Sequence, residues 1–140
     1  MAIFLFAFLL SLIFIYLSLG VIKQRGKNKI ALGTGSNDEL TKWVRAQANF
    51  TEYTPWAVLL LLLAEFSGAH KIEIYVVGSL LLLGRVLHAY SMTHHEKYIN
   101  GILQAKPKFR VIGMQLTFIA ILYCAIRLFT LYVIDLVEYF

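Results

Sequence analysis

The chain has 140 residues, 59% hydrophobic and 15% charged, with a mean hydropathy of +0.70. That balance excludes a disordered chain and an ordinary soluble domain, and it indicates a small polytopic membrane protein with no room for a separate soluble unit. Lys and Arg exceed Asp and Glu, 13 to 8, for a net charge of +5; in so apolar a chain this does not read as a nucleic-acid surface, and the placement of the cations matters more than their sum.

Crossing a hydrocarbon core of about 30 Å takes about 20 apolar residues, and four such stretches fit in the chain. Residues 2–22 are almost purely apolar, with no Lys or Arg before Ile22. A signal peptide starts positive and has a shorter core, so a retained first span is expected here. The basic run from Lys23 to Lys29 follows, then the turn-rich Gly33-Thr34-Gly35-Ser36-Asn37. Ser36 or Asn37 can cap a helix that opens with Asp38 and Glu39, two acids at the positive end of the helix dipole. This second span is predicted over 38–66, with a kink at Pro55. A short turn leads to a third span over 72–92, a polar loop over 93–109, and a fourth span over 110–133 that carries Arg127. The reading is an all-α, four-helix membrane bundle forming one domain over 1–140.

Topology follows from the cations. The first long connection holds Lys23, Arg25, Lys27, Lys29 and Lys42, the third holds Lys97, Lys106 and Lys108, and the short turn between spans two and three holds only Lys71. The positive-inside rule puts both long loops in the cytoplasm and both termini outside.

Within that topology the polar residues of the spans are informative. Arg45, Asn49 and Glu52 stand at i, i+4 and i+7 and share one helix face. A cation, an amide and a carboxylate on one stripe of a membrane helix are costly without partners or a ligand, which marks a functional-site hypothesis. Arg85 and His88 in the third span and Arg110 at the start of the fourth are expected at the same depth, facing the cytoplasm. Gln47 adds an amide, and Arg25 is a further guanidinium at the foot of the first span. Arginine forks suit carboxylates and a lone carboxylate suits an ammonium. The complementary ligand is a small zwitterion with excess negative charge, and glutathione fits: two carboxylates, one ammonium, amides and a thiol. An arginine near the thiol favours the thiolate; lowering its pKa by about two units takes about 2.7 kcal/mol.

Other groups read as structural. His94, His95 and Glu96 lie in a polar loop without an i, i+4 histidine pair, so no metal site is expected. Cys124 sits in an apolar stretch and reads as a small buried hydrophobe. Arg127 is expected to pair with Asp135, Glu65 or Glu73.

The pattern Arg45-x-Gln47-x-Asn49-x-x-Glu52-Tyr53-x-Pro55 resembles the signature of the MAPEG family, the membrane-associated proteins in eicosanoid and glutathione metabolism, which includes microsomal glutathione transferases, leukotriene C synthase and microsomal prostaglandin E synthase. Gly84-Arg85-Val86-Leu87-His88 is similar to that family's third-helix motif, and Phe109-Arg110-Val111-Ile112-Gly113-Met114 resembles the start of the fourth helix in its small bacterial members. The resemblance implies a homotrimer in a bacterial inner membrane, with glutathione held between neighbouring subunits. Arg45, Asn49, Glu52 and Tyr53 would bind it from the second helix, Arg85 and His88 would line the site from the third, and Arg110 would stand where the family's thiolate-stabilising arginine stands. Gln47 and Arg25 would reach a neighbouring subunit's ligand. One departure is Met92, which occupies a position where family enzymes often carry a tyrosine. The expected function is a glutathione-dependent transferase or peroxidase acting on lipophilic electrophiles or hydroperoxides that arrive through the bilayer. The alternatives are a non-catalytic lipid- or glutathione-binding membrane protein and a proton pathway using Glu52 and His88.

Overall fold

A computed structural model describes residues 1–104 and 106–139, the last of these by its backbone alone. The described residues form four long helices: α1 (Ile3–Asn28), α2 (Asp38–Phe66), α3 (Lys71–Tyr90) and α4 (Lys108–Tyr139). A π-helical turn over Ser91–His95 extends α3, and a small hairpin of β1 (Tyr98–Ile99) and β2 (Ile102–Leu103) fills the connection to α4.

The helix ends follow local chemistry. α1 continues past Ile22 through the basic run, because Lys, Gln and Arg are good helix formers even where they leave the apolar layer. It stops at Lys29, whose φ of 54° turns the chain and lets its amide close on the carbonyls of Arg25 and Gly26. The Asn37 side chain caps α2 by accepting the Leu40 amide at 2.8 Å, and α2 then runs unbroken through Pro55.

Four helices form where four spans are expected, and among the described residues they differ in apolar character. Three helical segments are long and apolar enough to cross a membrane: Ile3–Asn28, Lys71–His95 and Lys108–Glu138. α2 is as long, but Arg45, Gln47, Asn49 and Glu52 dilute its apolar character. It packs against all three of the others, with Gln47 and Asn49 partly covered by the bundle and Arg45 and Glu52 on its exposed side.

The two ends of the bundle differ. At one end the Glu65 carboxylate, at the foot of α2, accepts the Ala2 and Ile3 amides and caps α1, which has no side-chain cap of its own. Arg127 pairs there with Glu73 at 2.8 Å, one of the three partners expected for it. The other end holds the α1–α2 loop, where Asn37 donates to the Asn28 side chain at 3.0 Å, and the hairpin. The cations from Lys23 to Lys29, Lys42 and those of residues 97–110 all lie at this second end. Between the ends, Leu17, Leu61, Ile74, Leu81 and Cys124 are buried.

The contact that positions the site is the crossing of α3 over α4. A Cβ on Gly84 would lie 2.8 Å from the Gly113 carbonyl oxygen, and one on Gly113 would lie 2.6 Å from the Gly84 oxygen. The backbones therefore touch at a spot that only glycine permits. This brings Arg85 and His88 of α3 against Met114 and Thr117 of α4.

Candidate functional site

Arg85 follows Gly84 and is turned into the bundle, with no exposed surface. Its Nη2 donates to Asn49 Oδ1 of α2 at 2.6 Å, and Nη1 donates to Thr117 Oγ1 at 3.4 Å and lies 3.7 Å from Met114 Sδ. The guanidinium also sits over the Phe50 ring, 5.6 Å from its centroid. Among the described residues no carboxylate lies within ion-pair distance of it. A buried cation without a counter-ion is expensive, and here an amide, a hydroxyl and an aromatic face offset that cost.

His88, one turn further on, is also buried, and its Nδ1 has no partner among the described residues. With Asn49 and Arg110 it lines a cavity of about 410 Å³ whose remaining walls, Val111, Met114 and Phe118 among them, are mostly apolar. Tyr53 packs edge-on against Phe118, centroids 5.6 Å apart, at the flank of this cavity.

Arg110 opens α4 at the hairpin end. Its Nη1 donates to the Tyr98 hydroxyl at 2.9 Å and lies 3.1 Å from Glu96 Oε2. Glu96 is 1% exposed. Its Oε1 accepts from Ser91 Oγ at 2.9 Å, its Oε2 accepts from the Tyr98 hydroxyl, and its backbone oxygen accepts from Lys42 Nζ at 3.2 Å. Burial, and then the hydrogen bond to Glu96, push the Tyr98 hydroxyl above the ordinary tyrosine range, with the Arg110 charge pulling the other way. The hairpin tip is tied down where the Gly101 amide donates to Asp38 Oδ1 at 2.9 Å. Under it lies a second cavity, of about 230 Å³, lined by Asp38, Lys42, Arg45, Tyr98 and Arg110. Arg110 thus lines both a polar cavity and an apolar one.

The profile of the MAPEG family matches residues 3–130 of the chain. The chain belongs to the MAPEG family. It is similar to the inner membrane protein YecN of Escherichia coli K12, 32% identical over 118 residues that make up 84% of this chain and 82% of the relative, and to YecN of Escherichia coli O6:H1 to the same degree.

In this MAPEG chain the residues singled out by sequence fall into three groups. Asn49 and Arg85 are directly bonded, and Asn49, His88 and Arg110 surround the apolar cavity with Tyr53 at its side. Arg45 is brought to the polar cavity with Arg110. The others are elsewhere. Gln47 Nε2 donates to Ser18 Oγ of α1 at 2.8 Å. Arg25 Nη1 donates to the carbonyls of Ala31 and Gly33, both at 3.0 Å, and so holds its own loop. Glu52 is exposed and makes no hydrogen bond or ion pair among the described residues. Its face of α2 continues through the exposed Trp56, Leu59 and Leu63. The cavity at Pro55, about 310 Å³, opens toward Leu10 and Phe14 of α1 rather than toward Asn49.

Sequence reasoning missed Lys42, Glu96 and Tyr98. Within the loop triplet, His94 is exposed and stacks near-parallel with Tyr16 and Tyr90, while Glu96 turns inward to Arg110. The turn pair Asn100-Gly101 is a hairpin signal, and it was the one local hint that Tyr98 folds back toward the bundle.

Proposed function

We propose that this protein is a glutathione-dependent membrane enzyme, a transferase or peroxidase for lipophilic electrophiles or hydroperoxides. One observation carries the reading: Arg110 stands between a polar cavity shared with Arg45 and Lys42 and an apolar cavity walled by Val111, Met114 and Phe118. A charged peptide suits the first, and a bilayer-borne substrate suits the second. A thiol at their junction lies beside a guanidinium whose one hydrogen bond among the described residues uses Nη1. A two-unit fall in thiol pKa requires roughly 2.7 kcal/mol, less than the about 4 kcal/mol that an unpaired unit charge about 4 Å away contributes at a partly shielded site, and Glu96, 3.1 Å from Nη1, offsets part of that contribution.

In conjugation the thiolate sulfur forms a bond to the electrophilic carbon, and the displaced group leaves with the electron pair. In peroxide reduction the thiolate attacks one oxygen of the hydroperoxide, the O–O bond breaks, and the alcohol leaves after protonation. A second glutathione then converts the sulfenic acid to the disulfide and water. Arg110 acts electrostatically, and the α2 residues hold the peptide in place.

The exposed face of α2 supports a homotrimer with glutathione at the subunit interface. A carboxylate such as Glu52 on the outside of a membrane helix needs a partner, which a neighbouring subunit or its ligand supplies. The cationic hairpin end supports an inner-membrane placement with the site toward the cytoplasm and the termini outside.

Glutathione is expected to raise the melting temperature of the detergent-solubilised protein, as a ligand of the folded state must, and to support turnover of a chromogenic electrophile that Arg110→Ala abolishes. Absence of a thermal shift sinks the reading. Binding without turnover of any electrophile or hydroperoxide replaces it with the non-catalytic alternative.

A further inference from the structure

We propose that Tyr98 and Glu96 are positioning residues for Arg110: they pin one nitrogen of its guanidinium so that the remaining donors address the ligand. The proposal rests on the glutathione reading for its consequence, and on the hairpin geometry for its substance.

Arg110 is partly exposed, and an unrestrained arginine there samples many rotamers. Two contacts converge on its Nη1, the Tyr98 hydroxyl at 2.9 Å and Glu96 Oε2 at 3.1 Å. The Tyr98 hydroxyl accepts from Arg110 and spends its single proton on Glu96. It therefore has no proton for a ligand, and its action on the site runs through Arg110. Glu96 is equally committed: Ser91 fills Oε1, and Tyr98 and Arg110 share Oε2. The clamp is itself anchored to two other helices. Ser91 belongs to the turn that ends α3, and Lys42 and Asp38 of α2 hold the Glu96 carbonyl and the Gly101 amide. A guanidinium borne on α4 is thereby registered against α2 and α3, the helices that carry Arg45, Asn49 and His88. A simple ion pair needs no such hydroxyl wedged between its partners, and fixed donors are what stabilise a developing charge well.

The test uses the full-length protein in detergent. Tyr98→Phe removes one oxygen and Glu96→Gln keeps the shape of the side chain. Nitrogen-15 NMR of the arginine side chains, assigned by loss of the signal in Arg110→Lys, reads the restriction of the guanidinium. The pH profile of kcat/KM reads the thiol. In the unaltered protein the Arg110 Nη signals are expected to be separate and slowly exchanging. Both variants are expected to merge them, and Tyr98→Phe, which leaves every charge in place, to move the thiol limb of the profile to higher pH with KM for glutathione little changed. Arg110 signals in both variants identical to those of the unaltered protein overturn the clamp; if Glu96→Gln does not fold, Tyr98→Phe decides alone. Signals that merge while neither these variants nor Arg110→Lys moves the profile uphold the clamp and overturn the glutathione reading.

Discussion

Arg85 of α3 donates a 2.6 Å hydrogen bond to the side-chain oxygen of Asn49 of α2, and this bond joins two family-motif residues inside the bundle. Asn49 borders the apolar cavity and Arg85 does not reach solvent. Arg85 therefore orients Asn49 from behind. Asn49→Ala leaves a buried charged donor unpaired and is expected to destabilise the protein by about 1.5–3 kcal/mol. On an Arg85→Met background the same change should cost far less, because the donor is gone. Denaturant unfolding of the four proteins of this cycle measures the coupling, and additive effects would mean the bond contributes nothing.

Arg110→Ala is expected to have two separable effects. It deprives the buried Glu96 carboxylate of its counter-ion, a loss on the order of 1–3 kcal/mol, below that of a wholly buried pair because Arg110 is partly exposed. It also removes the charge beside the thiol. Adding Glu96→Gln should restore the melting temperature without restoring the glutathione-dependent rate. A rate that returns with the stability would make the role of Arg110 structural.

Gly113→Ala is expected to cost about 1–3 kcal/mol and to lower activity, since its methyl group would force α3 and α4 apart at the Arg85–His88 level. Gly26→Ala is the control. A Cβ at Gly26 meets nothing within 4 Å inside α1, and the change should stabilise by up to about 1 kcal/mol. Melting temperatures of the two variants, compared with glutathione turnover, check both.

Alkaline pH should act through Tyr98. Its folded-state pKa lies above the unfolded one, so the folded state holds this proton more tightly. The associated stability is fully present below about pH 10, the ordinary tyrosine value, and is lost as pH rises from there through the folded value. The unfolding midpoint of the unaltered protein should fall in that window relative to Tyr98→Phe, which has no such proton. Parallel curves for the two proteins would contradict the raised pKa.

Much of the molecule is written in short-range pattern. The Asn37 cap, the two acids after it, the apolar runs and the polar face of α2 each depend on residues within a turn or two of one another, and periodicity reads them directly. Helix ends beyond the apolar layer were less legible. Hydropathy reports where the bilayer stops, and α1 runs on to Asn28 because its cations favour helix as well as water.

The order of residues along the chain determined the membrane class, the helical architecture and the cationic end of the bundle, because those follow from locally summed transfer free energies, nearest-neighbour propensities and the placement of Lys and Arg. Only the assembled helices decided what each polar residue faces. Arg85 and Glu52 look alike in sequence, as charges within expected spans, yet the Gly84–Gly113 contact turns Arg85 to the interior while Glu52 stays on the outside. The grip of Glu96 and Tyr98 on Arg110 closes through a hairpin and three helices at once. Such a contact depends on how rigid elements rotate and cross, and no local run of residues encodes that.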